Sequence, residues 1–149
     1  MESAIPRLWP VPNLRAFLTG VWKVERSVMG ESPLALGHLR GTARFEPSGQ
    51  TMRYEEQGCL SFGRSTVAAV RRLLFDFPAP TRAEVQFPDG QPFHQLDLAT
   101  GDATVEIERD GTRWRGHYTV LDQRNWCVVW RVTGPCRDFR SVTRYSRLS

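Results

Sequence analysis

Apolar and polar residues alternate with a period of two along most of this chain, the spacing of half-buried β-strands. The first clear case runs from Thr19 to Val28, where Trp22, Val24, Arg26 and Val28 share one face. Three of these are apolar and belong in a core. Arg26 then lies on an interior face, where a charge needs an acidic partner, a ligand or trapped water. The pattern repeats over Leu36 to Phe45, with Leu39, Gly41, Ala43 and Phe45 inward. It repeats again over Thr51 to Phe62, where Met52, Tyr54, Glu56, Gly58, Leu60 and Phe62 share a face, so Glu56 falls on an apolar side as Arg26 does. Thr66 to Phe77 reads as a helical opening at Val67–Val70 that ends as a strand, Leu73 to Phe77.

Further strands are expected at Arg82 to Phe87, with Ala83, Val85 and Phe87 inward, and at Pro92 to Ala99. In the latter, His94, Leu96 and Leu98 take one side and Phe93, Gln95 and Asp97 the other. Thr104 to Arg109 and Thr112 to Leu121 form a hairpin about Asp110-Gly111, with Trp114, Gly116, Tyr118 and Val120 inward. Asn125 to Val132 aligns Trp126, Val128, Trp130 and Val132, and Asp138 to Leu148 aligns Phe139, Ser141, Thr143 and Tyr145. Pro88-Asp89-Gly90-Gln91 and Pro47-Ser48-Gly49-Gln50 are turn sequences. Ahead of the first strand, Asn13 can cap a short helical turn, Leu14 to Leu18, that ends near Gly20. Pro6, Pro10 and Pro12 keep residues 1–12 as a tail, leaving 13–149 as one domain. About ten short strands joined by tight turns, without a βαβ unit, predict an all-β, antiparallel, up-and-down β-barrel. A barrel of this size leaves room inside for a ligand.

Gly20-Val21-Trp22, at the start of the first strand and after a helical turn, resembles the Gly-x-Trp motif of the calycin group, the lipocalins and fatty-acid-binding proteins. The resemblance implies a calycin-like barrel in which an arginine of the last strand packs near Trp22, and Arg144 is the best match. Phe17–Trp22, Gly41–Phe45, Pro92–Leu98 and Trp130–Pro135 are similar to the motif blocks of an uncharacterised bacterial and fungal domain family of calycin type. That family implies a fold and no activity. Fatty-acid-binding proteins grip a carboxylate with Arg-x-Tyr in the last strand. Here Arg144 and Tyr145 are adjacent and point to opposite faces, so that mode does not carry over.

The chain has 149 residues, enough for one core, and a net charge of +4. Its basic residues are arginines apart from Lys23, scattered among Asp and Glu. A solvated outer face accounts for them better than a nucleic-acid surface does. Three cysteines without a CxxC pair suggest reduced thiols in a cytoplasm and no zinc site. No apolar run reaches the roughly 20 residues of a membrane helix, and the start of the chain has no signal-peptide core.

Among the three histidines only His94 is expected to face inward, where it could bind a ligand or move a proton; a hydrogen-bonded core histidine is the plain alternative. Arg26 and Glu56 form either one structural ion pair or a ligand anchor. Tyr54, Tyr118 and Tyr145 can offer hydroxyls, and Trp114 and Trp130 apolar walls. No nucleophile motif or phosphate-binding loop appears, and no cofactor or metal is expected. These features predict a barrel that binds a small, largely apolar molecule with a polar or anionic end. One alternative is a small barrel enzyme (isomerase, cyclase or hydratase) using His94 as acid and base. The other is a filled scaffold barrel for protein interaction. A homodimer stays open.

Overall fold

A single five-residue helix, α1 (Leu14–Leu18), precedes ten strands. These are β1 (Gly20–Met29), β2 (Ala35–Ser48), β3 (Thr51–Phe62), β4 (Ser65–Ala79) and β5 (Arg82–Gln86), followed by β6 (Pro92–Asp97), β7 (Asp102–Arg109), β8 (Thr112–Asp122), β9 (Asn125–Gly134) and β10 (Arg137–Arg147). The computed structural model describes residues 8–30 and 35–148. The first part of the expected tail and most of the loop expected after the first strand lie outside them.

All ten strands form one antiparallel sheet in the order β6-β5-β4-β3-β2-β1-β10-β9-β8-β7. Consecutive strands pair except β6 with β7, and β1 pairs with β10 to bring the two ends of the barrel sequence together. The up-and-down barrel expected from the alternation, calycin-like as the resemblance implies, is therefore present. It is nearly closed, since β6 and β7 meet without a strand ladder between them. No described helix is long and apolar enough to cross a membrane.

Two local expectations fail. Val67–Val70 does not open a helix, because Ser65–Asp76 pairs residue by residue with Thr51–Phe62 of β3. Val67 and Val70 are β-branched, and a neighbouring edge outweighs weak local helicity. Phe93 does not point away from His94. The β5–β6 register shifts between Val85 and Gln86, and this irregularity lets Phe93 and His94 both turn toward the core.

One end of the barrel is plugged. Asn13 accepts from Ala16 N at 3.0 Å and caps α1, which buries Leu14 and Leu18. The segment before it is tied down by Trp9 N to Val120 O and Val11 N to Leu98 O, both 3.1 Å. Trp22 is fully buried here, and its indole N–H donates to Leu18 O at 2.8 Å. The arginine beside Trp22 is Arg147, and the expectation of Arg144 is corrected. Arg147 lies 4.2 Å above the Trp22 ring and donates to Thr19 O and Phe17 O. Arg144 is exposed on the opposite face, across from Glu25. Alternation decides this: Tyr145 and Arg147 share the inner face of β10, and Arg144 does not.

Near the middle of the sheet, Gly41 and Gly58 face each other across β2 and β3. A Cβ at Gly41 would sit 2.0 Å from Gln57 O, so only glycine lets the two backbones approach this closely. At Gly116 a Cβ would press on the Trp130 ring at 2.8 Å; the missing side chain makes room for that indole.

Gly41→Ala should lower the free energy of unfolding by about 2–3 kcal/mol, since the clashing atom is backbone that cannot swing aside. Urea melts followed by tryptophan fluorescence measure this. The same melts should separate the two arginines. Arg147→Ala should cost about 2 kcal/mol through lost stacking and capping bonds, while Arg144→Ala stays within about 0.5 kcal/mol of the parent.

Candidate functional site

The barrel interior holds one charged network. Arg26 on β1 meets Glu56 on β3 as a bidentate pair, with Nη1 to Oε2 at 2.7 Å and Nη2 to Oε1 at 2.8 Å. The Arg26 Nε donates to Thr143 Oγ1 at 2.8 Å. The Tyr54 hydroxyl donates to Glu56 Oε1 at 2.5 Å and lies 2.9 Å from the Tyr145 hydroxyl. Because the Tyr54 proton is committed to the carboxylate, Tyr145 is the donor in the second bond. The chain of bonds therefore joins three strands, β1, β3 and, through Thr143 and Tyr145, β10. Glu56 is only 2% exposed and the Arg26 side chain 13%.

Burial pushes the Glu56 carboxyl up, but the Arg26 fork and the Tyr54 hydroxyl outweigh it and hold the group below the ordinary carboxylate value. Burial opposes the Arg26 charge as well, and the bonds to Glu56 lift it above its usual value. Burial also raises the Tyr54 and Tyr145 hydroxyls, which stay protonated donors.

His94 belongs to a second, neutral cluster. Its Nδ1 faces Gln95 O at 3.1 Å and its Nε2 faces the Tyr118 hydroxyl at 3.1 Å. A carbonyl can only accept, so Nδ1 carries the proton and Nε2 accepts from Tyr118. Burial pushes the imidazole down to about 4, opposed by the Gln95 carbonyl and helped by the charge of Arg71. Both ring nitrogens are engaged, and His94 does not line the interior spaces described next. His38 and His117 are exposed, the latter against Asp102.

The described residues enclose two interior spaces along the barrel axis. The inner one, about 40 Å³, is bounded by Leu18, Phe45, Tyr54, Trp126, Tyr145 and their neighbours toward the plugged end. It suits about a water molecule. The outer one, about 350 Å³, opens at the other end, between Val28, Trp114, Val132 and Phe139. Arg26, Arg71, Phe93 and Trp130 line both and form the throat. Of the residues expected at a ligand site, Arg26, Trp114 and Trp130 reach the outer space. Tyr54, Tyr118 and Tyr145 reach only the inner one, and Glu56 faces Arg26. Gly20, Trp22 and Arg147 serve the plugged end. Among the described residues no three His, Cys, Asp or Glu side chains gather as a metal site requires. The indole N–H of Trp126, which lines the inner space, has no acceptor among them.

Arg71 and Phe93 are the throat residues the pattern did not reveal. Arg71 stands opposite Glu56 across β3 and β4. Its charge is felt at Glu56, His94, Tyr118 and Tyr145, yet no hydrogen bond or ion pair to a described residue holds its guanidinium. Reading β4 as one strand would have placed it, since Ala69, Arg71, Leu73 and Phe75 alternate inward.

The two clusters should titrate in different windows. His94 is held neutral to about pH 4, so below its ordinary value of 6.5 the unfolded chain takes up a proton that the native chain refuses. Stability should fall toward acid by about 1.4 kcal/mol per pH unit in that range, and His94→Gln should flatten this limb. Glu56, held below 4.5, contributes stability that is full above that value and is lost as the pH drops through the lower native value. Glu56→Gln should therefore cost most near pH 7 and progressively less below about 4.5. Chemical denaturation from pH 7.5 to 3.5 reads both limbs.

The fold has solved relatives of low identity. An S-type phycobiliprotein lyase from Guillardia theta superposes with a TM-score of 0.69 at 7% identity, covering 95% of this chain and 94% of that one. A protein of unknown function of the DUF3598 family from Nostoc punctiforme gives 0.63 at 12% identity, over 98% of this chain and 53% of its own. The protein EF1p2_mFAP2b, in a structure bound to DFHBI, gives 0.51 at 15% identity, over 92% and 98%. At these identities the likeness is one of fold. No curated protein matches the chain in sequence. Residues 18–147, nearly the whole barrel, match a defined sequence family, and the chain belongs to DUF6314, a family of unknown function.

Proposed function

We propose that this barrel binds a small, largely apolar molecule with an anionic or polar end, held at the open end of the barrel. The observation that carries the reading is the outer space of about 350 Å³, walled by aromatic rings and faced by two arginines. Concave, mostly apolar sites with a few convergent polar groups are the usual form of small-molecule pockets. Its size sits at the low end of their roughly 300–1,000 Å³ range. The fold neighbours agree in kind, since one is a barrel bound to DFHBI and another a phycobiliprotein lyase. The unpaired cysteines are consistent with a role in the cytoplasm.

A filled scaffold barrel is the second reading, favoured by one observation. Arg26 already has its partner in Glu56, and the inner space is of water size.

The protein purified from its own host should carry a small molecule visible by native mass spectrometry. Trp114→Ala, at the rim, should shed that molecule while still unfolding in one cooperative transition, at a lowered melting temperature because Trp114 packs on the core. Adding the molecule back at 100 times its dissociation constant should stabilise the parent by about 2.7 kcal/mol. A protein that carries nothing and is stabilised by no small apolar anion is the scaffold.

A further inference from the structure

We propose that Arg71 is the anion-recognising residue of the open end, and that its ligand is a compact aromatic monocarboxylate. This rests on the ligand-binding reading above and adds the anchor, the charge and the shape.

The anchor follows from which donors are taken. Arg26 spends its fork on Glu56 and its Nε on Thr143. Both Glu56 oxygens are occupied, Oε1 twice. Arg71, directly across the ladder from Glu56, finds a carboxylate that already accepts three bonds, and it lines the space with no hydrogen bond to a described residue. A guanidinium in that state matches a carboxylate through two parallel bonds.

The charge follows from a count. Arg26 and Arg71 contribute +2 and Glu56 contributes −1, which leaves +1 beside the throat. Among the described residues no other ionisable side chain lines the outer space. One carboxylate neutralises that excess, whereas a phosphate monoester, at about −1.5 to −2 near neutral pH, overshoots it.

The shape follows from the walls and the throat. Phe93 and Trp130 lie nearly parallel, 15° apart with centroids 5.5 Å apart, and Trp114 stands edge-on to Phe93 at 87°. Flat rings favour a flat guest in offset-stacked or edge contact. Below the throat the remaining space is of about 40 Å³, so a long acyl chain has nowhere to run.

The test uses calorimetry with 2-naphthoate, its neutral analogue 2-naphthylmethanol, 2-naphthyl phosphate and palmitate. The wild-type protein should bind the naphthoate about 10-fold or more tighter than the alcohol. It should also prefer the naphthoate to the phosphate and to palmitate. Arg71→Gln should bind naphthoate and alcohol alike, with the alcohol affinity within about 2-fold of wild type, and Arg71→Lys should fall between. Equal naphthoate affinity in wild type and Arg71→Gln overturns the anchor, and tighter binding of the phosphate or palmitate overturns the ligand class. If wild type binds alcohol and naphthoate equally, the anion assignment fails and the ligand-binding reading survives. If it binds none of the four, both fail. Should Arg71→Gln not fold, the wild-type preferences and the Arg71→Lys variant decide alone.

Discussion

A guanidinium inside a β-barrel constrains everything around it. Arg26 cannot be withdrawn from the core, since a shift of one residue would turn Trp22 and Val24 outward with it. Its charge must be answered where it stands. Glu56 answers it with two bonds, Thr143 takes the remaining direction, Tyr54 donates to the carboxylate, and Tyr145 donates in turn to Tyr54. The five residues come from β1, β3 and β10, so the network fixes the relative height of strands on both sides of the first one. Such a pair is not an efficient source of stability, because its desolvation offsets most of the attraction, while losing one partner costs about 3–5 kcal/mol. Its effect is on register: sliding a strand by two residues, which keeps every side chain on its own face, would still strand a buried charge.

The network also divides the barrel. Toward α1 the interior is closed by Leu14, Leu18, Trp22 and Phe45, with Trp126 stacked on Tyr145 at 3.8 Å. Toward the other end the strands carry fewer buried residues, and the aromatic rings stand around open space rather than against each other's backbones. One half holds the fold and the other surrounds open space. Arg71 sits at the border, on a strand whose outer half, before Leu74, has no β5 partner. Both arginines line the outer space, but only Arg26 has a hydrogen-bonded partner among the described residues.

Much of this was legible in the sequence because alternation is a strict rule. It placed Trp22, Arg26, Glu56, Tyr54, Tyr118 and Tyr145 on the inner face. It failed where the rule itself breaks or was not applied. Phe93 turns inward through a register shift, which depends on how β5 and β6 meet and not on the residues alone. Arg71 was hidden by reading Val67–Val70 as helical, a segment whose structure is set by the partner strand β3. Arg144 was matched from the calycin resemblance, though the parity of Tyr145 excludes it, and Arg147 was not considered. The state of His94 depends on a tyrosine 24 residues away, and no local pattern carries that information.

The missing ladder between β6 and β7 gives the barrel a property a fully closed one lacks. A closed ring of strands has a girth set by its hydrogen bonds, and it can widen only by breaking a row of them. Here the two edges meet through side chains and a bond from Arg109 to Pro92 O at 3.1 Å, with the N-terminal segment tied across the plugged end by Val11 and Trp9. The circumference is thus elastic along one line, and that line runs beside Phe93 at the throat. Side-chain packing along a single seam, and not the sheet as a whole, sets how wide the mouth can stand.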